Sequence, residues 1–408
     1  MAQRRASGVR SHQQPSRVLI WSPNYAPELT GISPLVTDAA EWLAARGHHV
    51  EVVAPVPYYP ERRIYADYRR RLWVSERRGA VRIHRTWLRT RPDEGFIDKA
   101  LYEFTASTLA LPSIIRRLRR SDVLICVLPT LLAAAYATAL PGRPRVVLWV
   151  QDLVLRGADA LGLDGVAQRV VKRASALEQS AVMRADRILV CSPGFRDYFV
   201  GRGADPETID VIYNWVDLDL VRSASVDHTG GPLRVLYAGN LGYSQGFETL
   251  IEAARIAGDG VTVRIVGDGN AAAAVAHLAE DVPNVSVQGP VPRSKFSELL
   301  ANHDAHVVIQ RRVSSGANLP SKIATYLASG RPIIGSIDPG SSAGELLRES
   351  RGALLVEPES PEALAAAMRR LVDDAEMRIE LGRRARAFAE KRLGKDAAMR
   401  HFEASVLP

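Results

Sequence analysis

Cysteine is almost absent from this chain of 408 residues, which carries only Cys126 and Cys191. Two thiols are too few for a disulfide framework or a zinc cluster, and each of them ends a short apolar run. We therefore expect both to be buried core thiols of a protein that works in a reducing compartment.

Long hydrophobic runs are missing as well. Every apolar stretch is far shorter than the roughly 20 residues that a membrane-spanning helix needs. Residues 1–16 are basic and polar and have no apolar centre, which predicts a disordered tail and not a signal peptide. Together these absences predict a cytoplasmic location.

Several motifs that would identify an activity at once are not found. The chain has no G-x-x-x-x-G-K-[ST], no G-x-S-x-G and no H-E-x-x-H, which argues against a P-loop enzyme, an α/β-hydrolase elbow and a helical zinc site. The first apolar run leads into WSPNYAPELTGIS and not into G-x-G-x-x-G, so a standard dinucleotide-binding domain is not expected there either.

The net charge of +8 is concentrated in the first third of the chain. Residues 1–120 contain 21 Lys and Arg against 11 Asp and Glu, whereas the remainder contains 32 against 34. The densest part is Arg62–Arg91, with 11 basic and 2 acidic residues interspersed with Trp73, Trp87 and Tyr68. This mixture favours an anionic membrane surface over nucleic acid, for which no reader motif is present. A solvated Arg-rich face is the alternative.

Short apolar runs alternate with amphipathic stretches along the whole chain, which predicts doubly wound α/β architecture with parallel sheets covered on both faces. The predicted strands are Arg17–Trp21, His49–Ala54, Ala80–His84, Asp122–Val127, Arg145–Val150, Arg187–Cys191, Leu233–Ala238, Thr262–Val266, Asn284–Val287, Ala305–Ile309, Pro332–Gly335 and Gly352–Val356. The predicted helices include Pro34–Arg46, Leu101–Arg119, Val166–Met183, Pro361–Asp373, Ala375–Arg392 and Lys395–Val406. Periodicity fails over Asn214–Pro232, so we predict domains at 17–215 and 233–385 with a linker at 216–232.

Glycine-containing loops follow strands in both halves. Gly31 follows the first strand, Gly239 and Gly267 follow the first two strands of the second half, and Lys322 opens a later helix behind Pro320. Ligands bind at the carboxyl ends of parallel strands, where glycine lets backbone amides approach a phosphate. The pattern predicts a phosphorylated ligand.

Three segments of the second half, YAGNLGYSQGFETLIEAA (237–254), IVGDG (265–269) and LPSKIATYLASGRPII (319–334), resemble GT-B glycosyltransferases of the family-4 type. They are most similar to the exopolysaccharide and colanic-acid branch, and NYAPELTGI (24–32) and RADRILVCSPGFRDYF (184–199) agree. The resemblance implies two Rossmann-like domains facing a central cleft, with a C-terminal helix from about 386 packing back on the first domain.

The resemblance also implies a reaction and a site. A retaining, metal-independent enzyme would move a hexosyl group from a nucleoside diphosphate sugar to a hydroxyl of a glycan acceptor, which we expect to be lipid-linked. Lys322 would pair with the leaving diphosphate. The other implied donor contacts are Glu28, Thr30 and Gly31 in the first half, Gly239, Asn240, Gln245 and Gly246 in the phosphate loop, Gly267, Asp268, Gly269 and Val291 around the nucleoside, and Ser321 and Thr325.

One departure from the family pattern bears on the activity. Family-4 enzymes usually carry two glutamates eight residues apart, and the aligned positions here are Ala317 and Thr325. An inactive sugar-nucleotide-binding subunit is therefore an alternative to a transferase, and an epimerase of sugar nucleotides on the same fold is another. In the first half, Asp152 follows a predicted strand and is a candidate for orienting the acceptor hydroxyl, with a helix or loop cap as the alternative role.

Overall fold

The structure, a computed structural model, describes residues 14–29, 31–91, 96–153, 166–221, 230–312, 319–320 and 322–408. The chain divides into two compact units, one made of residues 1–188 with 403–408 and the other of residues 189–402. Residues 1–13 of the predicted tail lie outside the described residues. Ser16 is ordered, since its backbone is hydrogen-bonded to His48 and His49.

The first sheet is built from apolar runs that the sequence shows clearly. Its strands are β1 (Arg17–Trp21), β2 (His49–Pro55), β3 (Trp73–Arg78), β4 (Val81–Thr86), β5 (Val123–Leu128), β6 (Arg145–Val150), β7 (Arg187–Val190) and β8 (Ile209–Val211). The helices between them are α1 (Ser33–Ala45), α2 (Phe96–Leu118), α3 (Leu131–Ala139), α4 (Val166–Arg184) and α5 (Pro193–Val200).

The strand order of this sheet is β3-β4-β2-β1-β5-β6-β7-β8. Strands β4, β2, β1, β5 and β6 run parallel, and the edge strand β3 is antiparallel to its neighbour β4. The chain builds outward from β1 through β2 to β4 and then crosses to β5 on the other side. The order therefore reverses between β1 and β5, which is the kind of position where open α/β sheets bind ligands.

The second sheet has six strands. They are β9 (Leu233–Ala238), β10 (Val261–Val266), β11 (Val285–Gln288), β12 (Ala305–Ile309), β13 (Ile333–Ser336) and β14 (Ala353–Val356). The helices are α6 (Phe247–Ala257), α7 (Ala272–Ala279), α8 (Arg293–Ala301), α9 (Lys322–Ala328), α10 (Ser342–Ser350), α11 (Pro361–Asp373), α12 (Ala375–Phe388) and α13 (Lys395–Val406), with a π-helical turn at Ala389–Leu393.

The second sheet is parallel in the order β11-β10-β9-β12-β13-β14, and its order reverses between β9 and β12. Both faces are covered. In β9, Val235 and Tyr237 pack into one hydrophobic core, and Leu236 and Ala238 pack into the core on the opposite face. This two-sided burial explains why the strand reads as an unbroken apolar run in the sequence.

The predicted α/β architecture is confirmed, with differences at two edge strands and at two helices. Strands β3 and β8 were not predicted, and α2 begins at Phe96 and not at Leu101. The helix predicted at Ala375–Arg392 is α-helical to Phe388 and continues as the π-helical turn. Cys126 and Cys191 are buried free thiols, as predicted, and burial raises the pKa of Cys126.

The last residues of the chain belong to the first unit. Glu403 accepts hydrogen bonds from Trp42 Nε1 at 3.2 Å and from Arg46 Nε at 2.8 Å, and lies 3.2 Å from His48 Nε2. These contacts hold the end of α13 on α1. Within the described ranges, the structure contains no helix that is both long and apolar enough to cross a bilayer.

Candidate functional site

Lys322 lies at the start of α9, beside the point where the order of the second sheet reverses. Its ammonium nitrogen is buried and has no hydrogen-bond partner among the described residues. Burial lowers the pKa of Lys322 from its ordinary value near 10.5 to about 7. A buried cation without a counter-charge is costly, so this position is suited to an anionic ligand.

Two tyrosines determine where Lys322 points. Its Nζ lies 3.6 Å from the centroid of the Tyr237 ring, a cation–π contact. The Tyr326 hydroxyl, one turn further along α9, accepts a hydrogen bond from Ala238 N at 2.7 Å and donates one to Ala238 O at 3.0 Å. Since Ala238 ends β9, Tyr326 fixes α9 against the strand that leads into Gly239.

The glycine loops after β9 and β10 pack directly against each other and against Lys322. A Cβ placed on Gly239 would lie 3.1 Å from Nζ of Lys322. A Cβ on Gly267 would collide with the carbonyl oxygen of Gly239, and one on Gly269 would lie 2.5 Å from Leu241 O. All three glycines have positive φ angles, of 144°, 153° and 156°. Side chains are therefore disfavoured at these three positions, which leaves the backbone next to the ammonium bare.

The remaining predicted phosphate-loop and nucleoside residues differ in their exposure. Asn240 and Asp268 are exposed, and Gln245 and Val291 are partly exposed. Gly246, with φ of 76°, begins α6. The structure thus brings Gly239, Gly267 and Lys322 together, while the ligand contacts of the other residues stay predictions.

A cavity of about 500 Å³ lies in the same unit, beside Thr325. Thr325 is one turn after Lys322, so the two side chains share a face of α9. The cavity is lined by Trp215, Val216, Asp217, Leu220, Val221, Ser294, Phe296, Ser297 and Thr325. The aromatic walls contributed by Trp215 and Phe296 were not predicted from the sequence.

In the first unit, Gly31 follows β1 with φ of 65°, and a Cβ there would lie 3.2 Å from Cε1 of Tyr59. Glu28 is buried, and its carboxylate accepts hydrogen bonds from the backbone N–H groups of Tyr58 and Tyr59 at 2.8 and 2.9 Å and from Asn24 Nδ2 at 2.9 Å. Burial raises the pKa of Glu28 in spite of these bonds. The carboxylate thus orders the turn after β2, and its contact with a donor stays a prediction.

A second cavity, of about 170 Å³, lies at the carboxyl ends of β1, β2 and β5. Its lining residues are Pro23, Asn24, Tyr58, Tyr59, Arg62, Tyr102, Glu103, Pro129 and Thr130. Glu103, on α2, was not among the predicted site residues, because the sequence of this helix shows a polar residue at that position without showing that it is buried.

The other predicted site residues are not tested by the structure. Asp152 lies two residues after the end of β6, is exposed, and accepts a hydrogen bond from Leu153 N–H at 2.9 Å. Thr30, Ser321 and Ala317 lie outside the described residues. Within the described part of the chain, no group of three or more His, Cys, Asp or Glu is placed to hold a metal ion.

Two α/β units, each with glycine loops at the carboxyl ends of parallel strands, define a protein of the GT-B class. Similarity to known protein families and proteins supports this class. Residues 30–215 match the model described as Glycosyl transferase 4-like domain, and residues 232–374 match Glycosyl transferases group 1. The chain is 30% identical to a protein of Escherichia coli K12 assigned as colanic acid biosynthesis glycosyl transferase WcaI, over 95% of this chain and 98% of the relative.

The chain therefore belongs to the family-4 type of glycosyltransferases, and the resemblance to the colanic-acid branch is confirmed. Solved structures share the fold. Anabaena HepE in complex with UDP superposes with a TM-score of 0.70 at 14% identity, covering 95% of this chain and 99% of HepE. WaaG, a glycosyltransferase of lipopolysaccharide biosynthesis, has a TM-score of 0.64 at 15% identity, covering 93% and 98%.

Proposed function

We propose that this glycosyltransferase moves a hexosyl group, with retention, from a UDP-sugar to a hydroxyl of a polysaccharide or glycolipid acceptor. The observation that carries the proposal is the buried Lys322 ammonium, which lacks a hydrogen-bond partner in the described structure and adjoins Gly239. UDP is chosen because the HepE structure contains it, and the acceptor class follows the names of WcaI and WaaG.

In this proposal Lys322 acts on the leaving diphosphate. When the bond between the anomeric carbon and the diphosphate oxygen breaks, negative charge grows on the nucleoside diphosphate. A preorganised cation in a water-poor site stabilises that charge, and one such contact is commonly worth about 3–4 kcal/mol. Because Lys322 and the bare backbone at Gly239 and Gly267 supply this stabilisation, the proposed reaction needs no metal ion.

We further propose that the cavity beside Thr325 receives the nucleoside. Lys322 and Thr325 lie on one face of α9, so a diphosphate on the ammonium would carry its ribose toward Thr325. Trp215 and Phe296 offer aromatic surface for the base. Thr325 offers a hydroxyl where the family usually has a carboxylate, so the ribose would be held by a neutral hydrogen bond.

The basic surface of the first unit gives the proposed acceptor a means of delivery. Arg69, Arg70 and Arg71 are exposed just before β3, and Leu72 and Trp73 beside them are 56% and 62% exposed. We propose that this surface rests on anionic lipid at the cytoplasmic face of a membrane, where a lipid-linked acceptor would be found. Aromatic and basic residues together favour such a surface.

Ligand-induced stabilisation tests the donor site without knowledge of the acceptor. UDP and UDP-glucose should raise the melting temperature of the protein, and Lys322→Ala should weaken UDP binding about 10- to 100-fold, the cost of one charge-assisted hydrogen bond. Lys391→Ala, which removes an exposed lysine of the same unit, is the matched control and should bind like the wild type.

Unchanged UDP affinity in a folded Lys322→Ala protein would contradict the assignment of the diphosphate site. Product analysis then separates the alternatives. A transferase releases free UDP and a lengthened acceptor, an epimerase releases a changed sugar nucleotide without acceptor, and a binding subunit turns over neither.

A further inference from the structure

A cavity of about 270 Å³ lies toward the amino ends of strands in the second sheet. Arg234 of β9 and Thr262 of β10 are register partners that line it, and so are Arg264 of β10 and Ser286 of β11. Register partners, and residues two apart in one strand, point to the same face, so all four side chains share a face of the sheet. The cavity therefore lies toward the opposite end of this sheet from Lys322.

This part of the sheet face is open and basic. Arg234, Arg264 and Ser286 are exposed and Thr262 is partly exposed, whereas Val266, two residues after Arg264 on the same face, is buried in a hydrophobic core. None of the described residues that line the cavity is an aspartate or a glutamate. The face thus changes from covered and apolar near its carboxyl end to open and basic near its amino end.

Arg234 is held in place by a buried carboxylate. Asp304 is 1% exposed, and it accepts hydrogen bonds from N, Nε and Nη2 of Arg234 at 2.9, 3.0 and 2.9 Å. This contact compensates the charge of Arg234 and fixes the plane of its guanidinium. Nη1 takes no part in the contact, so its N–H groups can donate to a ligand.

Arg264 provides a charge that its own contact does not compensate. Its Nη2 donates a hydrogen bond to Oε1 of Gln288 at 2.6 Å, and an amide carries no net charge. The guanidinium therefore keeps a full positive charge beside the cavity.

His303, which follows α8, is a further part of the wall and is 5% exposed. Its Nδ1 lies 2.7 Å from Leu299 O. Since a carbonyl only accepts, Nδ1 carries the ring proton and Nε2 can take a second one. Burial and the charges of Arg264 and Arg234 lower the pKa of His303, against the opposite effects of Leu299 O and Asp304. An anion placed among these groups would relieve their repulsion.

The volume and the chemistry of the cavity restrict the class of anion. A cavity of about 150 Å³ is known to take a single six-membered ring, so about 270 Å³ has room for a phosphate group and an attached group of that size. Arginine forks match the oxygens of a phosphate in geometry and charge. The hydroxyls of Thr262 and Ser286 can both donate and accept, which suits a hydroxylated ligand.

We propose that this cavity binds a phosphate monoester of a small hydroxylated molecule, with the phosphate among Arg234, Arg264 and His303. The hydroxyls of Thr262 and Ser286 then face the organic group. This site goes beyond the proposed function, since it takes a second ligand away from the proposed diphosphate site.

Nitrogen NMR of the full-length protein, labelled in its nine histidines, tests the proposal. The His303 signals are assigned by their absence in His303→Asn. Inorganic phosphate and glucose 6-phosphate are the probes, and glucose is the comparison without phosphate. Both phosphates should shift the Nε2 signal of His303 until it saturates and should raise its pKa, whereas glucose should not. His277, an exposed histidine of the same unit, should not respond.

Arg264→Gln should weaken the binding of glucose 6-phosphate about tenfold or more, the cost of one charge-assisted hydrogen bond. Arg255→Gln, which removes an exposed arginine of α6 in the same unit, is the matched control and should bind like the wild type. Arg264 is itself exposed, so both variants should melt close to the wild type. An undiminished His303 response in Arg264→Gln would overturn the proposal, and so would a His303 signal that neither phosphate shifts.

The donor site is separated from this one by Lys322→Ala, which should leave the His303 response unchanged. Loss of the response in that variant would show that phosphate acts from the donor site, and would overturn the proposal. A His303 response that depends on Arg264 in a protein that no UDP-sugar stabilises would support this site and reject the proposed donor site. The two proposals therefore fail separately.

Discussion

At the residue scale, the most unusual group of the described structure is the buried side chain of Lys322, where we propose that an anion binds. Its ammonium is buried against the Tyr237 ring and meets no hydrogen-bond acceptor in the described structure. In the proposed function, a bound diphosphate would provide the missing negative charge. Burial lowers the pKa of Lys322 to about 7, and the same low dielectric would strengthen the attraction between the protonated amine and that anion.

The lowered pKa predicts a pH dependence of stability. Between pH about 7 and pH about 10.5, the unfolded chain keeps a proton on Lys322 that the folded protein has lost. The free energy of unfolding should therefore rise with pH across this window, by a few kcal/mol in total, and level off on either side. Urea unfolding at a series of pH values measures it.

Other lysines titrate in the same range, so the comparison is made with Lys322→Met, which fills the site without a titrating group. The unfolding free energy of Lys322→Met minus that of the wild type should fall as the pH rises from 7 to 10, because only the wild type gains stability from the titration of Lys322. A difference that is constant with pH would show that Lys322 has an ordinary pKa in the folded protein.

The sequence predicted Lys322, Gly239 and Gly267 as neighbours, because a lysine and glycines that follow parallel strands meet at one edge of a sheet. It did not predict Tyr237 or Glu103. Tyr237 lies inside an apolar strand and reads as core, and nothing in the sequence shows that its ring faces an ammonium. Glu103 lies on an amphipathic helix, where a glutamate ordinarily faces water, and tertiary packing partly buries it.

At the scale of elements, the strands buried on both faces were predicted from unbroken apolar runs. Strand β3 was missed because it is an edge strand whose residues are exposed or only partly buried, so WVSERR carries no alternating pattern. Strand β8 has only three residues and no run to detect. Tertiary hydrogen bonding, and not local preference, makes these two segments into strands.

The contact between the two glycine loops gives a prediction at this scale. Gly267→Ala places a methyl group against the carbonyl of Gly239 and also strains a backbone with φ of 153°. We expect a loss of about 1–3 kcal/mol in unfolding free energy, together with loss of UDP binding, because the loop must move away from Lys322. Chemical denaturation and calorimetric titration with UDP measure the two effects.

Gly260→Ala is the matched control for this substitution. Gly260 precedes β10 in the same unit, and a Cβ there would meet no atom within 4 Å. Its stability and UDP affinity should stay close to those of the wild type. If Gly267→Ala bound UDP as tightly as Gly260→Ala does, the two glycine loops would not be part of the diphosphate site.

At the scale of the whole molecule, the positive charge is placed unevenly, with a surplus of 10 basic residues in residues 1–120 and a deficit of 2 in the rest. The unevenness was visible in the sequence. The exposure of Leu72 and Trp73 next to three arginines became visible only in the structure, since an apolar pair at the start of a strand ordinarily joins the core.

We predict that the protein binds vesicles containing phosphatidylglycerol at low salt, releases them as salt rises, and does not bind phosphatidylcholine vesicles. Each arginine near an anionic surface contributes about 1 kcal/mol. The double substitution Arg69→Ser and Arg70→Ser should therefore weaken vesicle binding about 30-fold. Vesicle co-sedimentation provides the measurement.

The charge-matched control is Arg383→Ser with Arg384→Ser, which removes two exposed arginines from α12 in the other unit. If vesicle affinity depends only on net charge, both double variants will lose it equally. Selective loss in the first variant places the lipid contact at the surface before β3.

The close contacts in the two glycine loops also affect which positions of this enzyme can accept amino-acid substitutions during evolution. A collision at Gly267, a close approach at Gly239 and Gly269, and positive φ at all three disfavour every other amino acid at these positions. Thr325, which is partly exposed beside its cavity, adopts no such backbone conformation. New donor preferences, whether they arise by natural drift or in a mutant library, should therefore accumulate around Thr325, Trp215 and Phe296, while the glycine loops stay invariant.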